Sequence, residues 1–335
     1  MSSSAAHLTD RIVVFALGGT IAMVPGDKPG AVPTLDAADL VRAVPGLSDF
    51  DIEAVSFRQK PGAHLTFDDL EALASAIEDA EAKGGAKGVV ITQGTDTIEE
   101  VAFALDLLLD VSIPVVVTGA MRNPSVASAD GPANMLAAAR VASSPKAAGH
   151  GVLVVFTDQI HAARFVKKQH TSSVAAFSSP NAGPVGWVSE EDVIIVASVP
   201  SGGHIARLPE ALPAKVALVS LTLDFDCQIL DFDRNGGVQG LVIEGLGGGH
   251  SNPETAEKLG QIADTIPVFL SSRTGSGQVL RSTYGFIGSE MDLLGRGLHD
   301  TGWLDGPKSR ILMNLALRHG LDRQSICNLL SRYRA

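Results

Sequence analysis

The chain has 335 residues, 45% of them hydrophobic and 19% charged; this is the balance of a folded protein too long for one ordinary core, so two α/β domains are expected. Its 26 Lys+Arg against 37 Asp+Glu leave a net charge of −11, which disfavours nucleic acid and anionic membrane as partners, because both call for a positive surface. No apolar run approaches the roughly 18 residues of a membrane span, and Cys227 and Cys327 read as reduced thiols without metal-ligand spacing.

The first ten residues are polar, and the apolar run Ile12–Leu17 that follows is short and ends at Gly18-Gly19. It reads as a buried first strand, not as the core of a signal peptide, so a cytoplasmic location is expected. Gly88–Thr92, Val115–Thr118 and Val152–Phe156 are further short apolar runs bounded by Gly, Asp or Pro, as buried parallel strands are. Between them Phe67–Lys83, Thr97–Asp110 and Asp130–Ser143 read as helices; in the middle one Ile98, Val101, Leu105 and Leu108 share a face. The β-α alternation predicts a doubly wound, mostly parallel sheet.

Val199–Pro213 interrupts the pattern with three prolines and Gly202-Gly203. A catalytic α/β domain over residues 1–200, a linker over 201–213 and a smaller C-terminal α/β domain over 214–335 are therefore expected. The second domain has strands at Val216–Leu221, Gly240–Ile243 and Val268–Ser271. Its helices fall at Asn252–Asp264, Pro307–His319 and Asp322–Arg332, with Pro307 near a helix start and Gly320 just past its end.

Ligands of open parallel sheets bind beyond the carboxyl ends of the strands. Two such places stand out: Gly18-Gly19-Thr20-Ile21-Ala22 after the first strand, and Gln93-Gly94-Thr95-Asp96-Thr97 after another. Together they offer two threonine hydroxyls and a carboxylate. Gly-Gly-Thr alone is more often a turn than a catalytic element. Asp96 with Glu99, or Thr97 with Glu100, fits a helix cap and capping box. A phosphate-loop reading fails for want of a Gly-Lys-Ser/Thr ending. A threonine nucleophile needs a partner that takes its proton, and either Lys167 or Lys168 can serve if its ammonium form is disfavoured; by themselves both read as solvated lysines.

Phe15–Ala22 and Thr92–Glu100 resemble the two signatures of bacterial-type L-asparaginases. Thr118–Arg122, Ser128–Asn134, Phe177–Asn181, Ser271-Ser272-Arg273 and Asp305–Arg310 extend the resemblance, in the same order, over nearly the whole chain. It implies a larger N-terminal domain, a smaller C-terminal one, no cofactor and no metal, and hydrolysis of the L-asparagine side-chain amide to acid and ammonia, with variable action on L-glutamine. By motif, Thr20 resembles the nucleophile, Thr95 the second catalytic threonine and Lys168 the lysine that assists it. Asp96 resembles the carboxylate that binds the substrate α-ammonium. Gly62, Ala63, His64, Ala120 and Gln278 fall at substrate-binding positions. The family forms homotetramers of tight dimers, so a homodimer or homotetramer acting on a small-molecule amide is expected, with Arg281–Trp303 as a candidate contact.

The chain departs from the family in places. Leu17 stands where Thr is usual. Gly30-Ala31-Val32-Pro33 lacks the Tyr of the loop after the nucleophile, and Tyr284 and Tyr333 are the only tyrosines. Pro61-Gly62-Ala63-His64 replaces a Ser-containing loop that holds the α-carboxylate, leaving backbone N–H groups and His64. Gln278 replaces an acid. The missing Tyr and Ser keep hydrolysis of a non-standard amide open. The amidase subunit of an archaeal-type tRNA-dependent amidotransferase shares this core but carries an extra N-terminal domain, whereas the first strand here starts at about Arg11. A binding protein that has lost catalysis is opposed by the retained Thr20, Thr95, Asp96 and Lys168.

Overall fold

The structure is a computed structural model that describes residues 11–19, 21, 23–25, 31–33, 36–83, 85–235 and 237–334. The chain packs as two units, Met1–Ser201 and Gly202–Ala335.

In the first unit, β1 (Ile12–Ala16) is followed by an antiparallel pair, β2 (Met23–Pro25) and β3 (Ala31–Pro33). Then come α1 (Ala37–Arg42), β4 (Ile52–Ser56), α2 (Phe67–Ala82), β5 (Gly88–Thr92), α3 (Ile98–Leu108), β6 (Val115–Thr118), α4 (Gly131–Ser143) and β7 (Val152–Phe156). The unit ends with β8 (Gln159–Ala162), a short hairpin of β9 (Lys167–Lys168) and β10 (Phe177–Ser178), then β11 (Gly186–Ser189) and β12 (Asp192–Ile195). Eight strands form one sheet in the order β12-β11-β8-β7-β6-β5-β1-β4. β4, β1, β5, β6 and β7 are parallel; β8, β11 and β12 run antiparallel.

Every residue of β1, β5, β6 and β7 is buried, because helices cover both faces of a parallel sheet and leave no polar side. α1 and α4 cover one face, where Leu40, Val44, Met135 and Ala138 pack on Val14, Val90, Val116 and Leu153. The expected face of α3 is buried, and Ala102, Phe103, Ala104 and Leu107 are buried with it, so this helix is wrapped on more than one side. α2 starts at Thr66, whose hydroxyl accepts the Asp69 N–H while the Asp69 carboxylate accepts the Thr66 N–H, a capping box that satisfies two orphan donors.

The second unit takes in residues 202–213. β13 (Val216–Ser220), β14 (Gly240–Gly245), β15 (Val268–Ser272) and β16 (His299–Asp300) form a parallel sheet in that order. α5 (Pro253–Ala263), α6 (Glu290–Gly295), α7 (Gly306–Arg318) and α8 (Arg323–Ser331) complete it. Its core joins Leu241, Ile243 and Leu270 to Ala256, Leu259 and Ile262 of α5. α7 has Pro307 in its first turn, and Gly320 beyond its end takes a positive φ of 77°, the usual asymmetry of helix ends. Both units are α/β, the larger with a mostly parallel sheet.

Candidate active site

β1 lies between β4 and β5 in the sheet, so the turns leaving their carboxyl ends are neighbours. They meet through glycines. Gly18 and Gly19 adopt φ of 99° and 85°, a region open to glycine and strained for other residues. A Cβ on Gly19 would stand 2.1 Å from the Gly94 nitrogen, and one on Gly62 would stand 2.9 Å from the Gly94 oxygen. Thr97 ties the same turns together: its hydroxyl donates to the Gly62 carbonyl (3.1 Å) and accepts from Gln93 Nε2 (3.3 Å). Thr20 follows this stack in sequence and lies outside the described residues.

Thr95 and Asp96 occupy a single helical turn, Thr95–Thr97, between β5 and α3. Lys168 comes to them from β9, 72 residues away from Asp96 in sequence. Its Nζ donates to Thr95 Oγ1 at 2.9 Å and to Asp96 Oδ1 at 2.8 Å. Thr95 is buried, the Lys168 side chain is 15% exposed and the Asp96 side chain 69% exposed. Lysine and threonine are therefore enclosed, and the carboxylate faces out, where it can receive a cationic group.

This arrangement corrects the capping alternatives. Thr97 occupies the N-cap position of α3 without a side-chain capping bond. Asp96 pairs with Lys168, and Glu99 Oε2 accepts the backbone N–H of Lys168 at 2.8 Å. Sequence reasoning missed this role of Glu99, because a glutamate in the first turn of a helix is indistinguishable from a capping residue until the distant strand is in place.

The loop after β4 is anchored from beneath. Asp69 accepts from Arg58 Nε and Lys60 Nζ, both at 2.7 Å, and from Thr66. Burial pushes the Asp69 carboxyl up, but the two cations and the Thr66 bonds outweigh it and hold it well below the usual carboxylate range. Gly62–His64 forms a single helical turn in which Gly62 is buried and Ala63 and His64 are exposed. The His64 imidazole has no hydrogen-bond partner among the described residues.

The other matching stretches buttress the site. The Asp130 carboxylate accepts the N–H groups of Met121 and Arg122, and Asn134 Nδ2 donates to the Gly119 carbonyl. These bonds fix the turn carrying the buried Ala120, with Gly119 packed against Gln93 and Thr95. Phe177 of β10 packs on Phe156 of β7, with ring centroids 4.7 Å apart, and Ser179 bonds the buried His161 at 3.0 Å. In the second unit Asp305 caps α7, Ser271 Oγ donates to the Leu304 carbonyl and Arg310 reaches the Val216 carbonyl. Gln278 is held there too, within reach of Arg281 and the Arg334 carbonyl. Tyr284 lies edge-on to His250. No cluster of His, Cys, Asp and Glu among the described residues could hold a metal ion, and none of their helices is long and apolar enough to cross a membrane.

Comparison with known proteins names this arrangement. The asparaginase N-terminal domain matches residues 11–200, and the glutaminase/asparaginase C-terminal domain matches residues 215–330. The chain belongs to the asparaginase family. It is 36% identical to a probable L-asparaginase of Deinococcus radiodurans, over 94% of this chain and 95% of that protein. It is 33% identical to a probable periplasmic L-asparaginase of Haemophilus influenzae, over 94% and 91% respectively. The crystal structure of a probable cytoplasmic L-asparaginase from Campylobacter jejuni superposes with a TM-score of 0.85 at 29% identity, covering 97% of this chain and all of that one. The protein is an asparaginase-type amidohydrolase.

Proposed function

We propose that this asparaginase hydrolyses the side-chain amide of L-asparagine to L-aspartate and ammonia, with Thr20 as the nucleophile. The observation that carries the reading is the Lys168 side-chain nitrogen held between Thr95 Oγ1 and Asp96 Oδ1. In this reading the Thr20 oxygen attacks the amide carbon, and its proton is taken up by the Thr95–Lys168 pair with Lys168 in its neutral form. The C–N bond then breaks, and the leaving nitrogen receives that proton and departs as ammonia. Water, giving a proton to the same pair, cleaves the threonine ester, releases L-aspartate and restores the Thr20 hydroxyl. A lysine nitrogen held within hydrogen-bond reach of a threonine hydroxyl suits this task by its geometry. Asp96, exposed at the mouth, orients the substrate α-ammonium through a charge-assisted hydrogen bond. Gly62, Ala63, His64 and Ala120 complete the part of the binding site that the first unit supplies.

Ammonia release from L-asparagine by the purified protein tests the proposal; binding without turnover would overturn it. L-Glutamine and amides lacking a free α-carboxylate belong in the same assay, because the exposed Ala63-His64 offers few side-chain donors to that carboxylate. We propose a cytoplasmic homodimer or homotetramer. The second unit exposes Leu280, Tyr284, Phe286, Ile287 and Met291 along one segment, and a cluster of this kind suits burial against another subunit. An active species near 35 kDa by light scattering would exclude it.

A further inference from the structure

The position of Lys168 poses a mechanical problem that its own strand cannot solve. β9 is two residues long and, among the described residues, pairs with the equally short β10 alone. A two-stranded ribbon of this length is at best marginally stable alone. The lysine side chain is a flexible stem that samples many rotamers when free. Nevertheless its nitrogen sits within 2.9 Å of both Thr95 Oγ1 and Asp96 Oδ1.

The Lys168 backbone is tied directly to the element it serves. Glu99 stands in the first turn of α3, directly after the turn that carries Thr95 and Asp96. Its Oε2 accepts the Lys168 N–H at 2.8 Å. Both ends of Lys168 are thus bound to the stretch 95–99, the main chain through Glu99 and the side chain through Thr95 and Asp96. The far side of the hairpin is pinned elsewhere, by Ser179 on His161 and Phe177 on Phe156. Those contacts attach the hairpin to the sheet.

We propose that Glu99 is a positioning residue for Lys168: it holds the β9 backbone at the spacing from α3 that lets the lysine nitrogen meet Thr95. This rests on the reading of Lys168 as the proton carrier. A displacement of about 1 Å in such a group costs on the order of a hundredfold in rate while leaving substrate binding nearly intact.

The test measures kcat and KM for L-asparagine in four proteins: the wild type, Glu99→Ala, Glu99→Gln and Lys168→Met. The expected result is a fall in kcat of roughly 10- to 100-fold for Glu99→Ala with KM within about threefold. Glu99→Gln keeps an acceptor oxygen of the same reach and should recover kcat to within about fivefold of wild type. A support role in folding alone would lower the unfolding temperature and leave kcat per folded molecule unchanged, and that result overturns the proposal. Equal losses in the Ala and Gln variants overturn it too, because the backbone tie needs only an acceptor. If Glu99→Ala does not fold, Glu99→Met, of similar length and without an acceptor, carries the same expectation. An active Lys168→Met would instead sink the reading of the lysine, whereas an inactive Lys168→Met beside a fully active Glu99→Ala would sink only the role of Glu99.

Discussion

The turn after β5 and the turn after β4 touch through Gly94 and Gly62, but they are built differently. The first is a side-chain device, with Thr95, Asp96, Glu99 and Lys168 each bonded to a partner within this group. The second is a main-chain device, stiffened by Asp69 below and presenting small or unpartnered groups above. On the proposed reading the first turn handles protons and the second holds the substrate α-carboxylate, so reaction type depends on the first turn and the choice of substrate on the second.

The largest expected effect tests the reaction side. Thr20→Ala should lower turnover by at least about a thousandfold while the fold persists, since removing one hydroxyl costs little stability and removing a nucleophile costs several orders of magnitude in rate. An ammonia assay reads the turnover, and circular dichroism with thermal unfolding reads the fold; wild-type-like turnover removes Thr20 from its role. Next in size, Lys168→Met should lower kcat by about 10²- to 10⁴-fold and Lys167→Met by less than about threefold. Lys167 precedes the lysine that meets Thr95 and lies opposite Ser178 in the hairpin. Equal effects at the two positions would erase the distinction between them.

The two catalytic-turn motifs were legible because strand ends in a parallel sheet are where ligands bind, and because Gly18, Gly19 and Gly94 leave no room for a Cβ. The parallel strands were legible for a related reason: wholly buried segments read as continuous apolar runs. The antiparallel edge was not. β8, β11 and β12 are four residues each, and β11 alternates buried and exposed positions. The turn between β7 and β8 places Thr157 and Asp158 at φ of 47° and 61°, and the next hairpin turns at Glu190 with φ of 55°. Non-glycine residues at positive φ carry no turn signal in sequence. The same limit applies to Glu99, whose partner is supplied by topology and not by spacing.

The helices behind the two turns carry one enclosed carboxylate each, and they extend the contrast to stability. Asp69 of α2 is paired, so its contribution is present above about pH 4 and is lost as pH falls below that. Asp106 of α3 retains a sliver of surface, but packed atoms surround its carboxyl group. Burial pushes it up to about 6 against the opposing pull of the Val152 N–H and the Arg164 charge. A raised folded pKa means the folded state binds the proton more tightly. Stability from this group is therefore full below about pH 4 and is lost as pH rises through 6. Urea unfolding at pH 4 and pH 7 should show Asp106→Asn gaining at pH 7, relative to pH 4, at most about 3 kcal/mol over wild type. His161, lowered to about 4 by burial, works in the opposite direction: its contribution is present above about 6.5 and lost as pH falls toward 4. The two slopes oppose each other in the wild type, and the single variant is needed to expose either one.

The smallest effect falls on the substrate side and decides how far the second turn has been rebuilt. If backbone N–H groups of Gly62 and Ala63 hold the α-carboxylate unaided, His64 is a bystander, and His64→Ala leaves KM for L-asparagine unchanged. If the exposed imidazole has taken over from the missing serine, His64→Ala raises KM about tenfold, the cost of one hydrogen bond to a charged group. Its kcat stays near wild type, because a ground-state contact removed from substrate and transition state alike changes binding and not chemistry. L-Asparagine α-amide provides the control. It lacks the carboxylate, so its KM should be the same in the wild type and in His64→Ala. A tenfold loss with both substrates would mean the imidazole packs the loop and does not read the carboxylate. No loss with either, together with a strong preference for the free acid, would assign the carboxylate to another group, and Tyr284→Phe is the variant to make next.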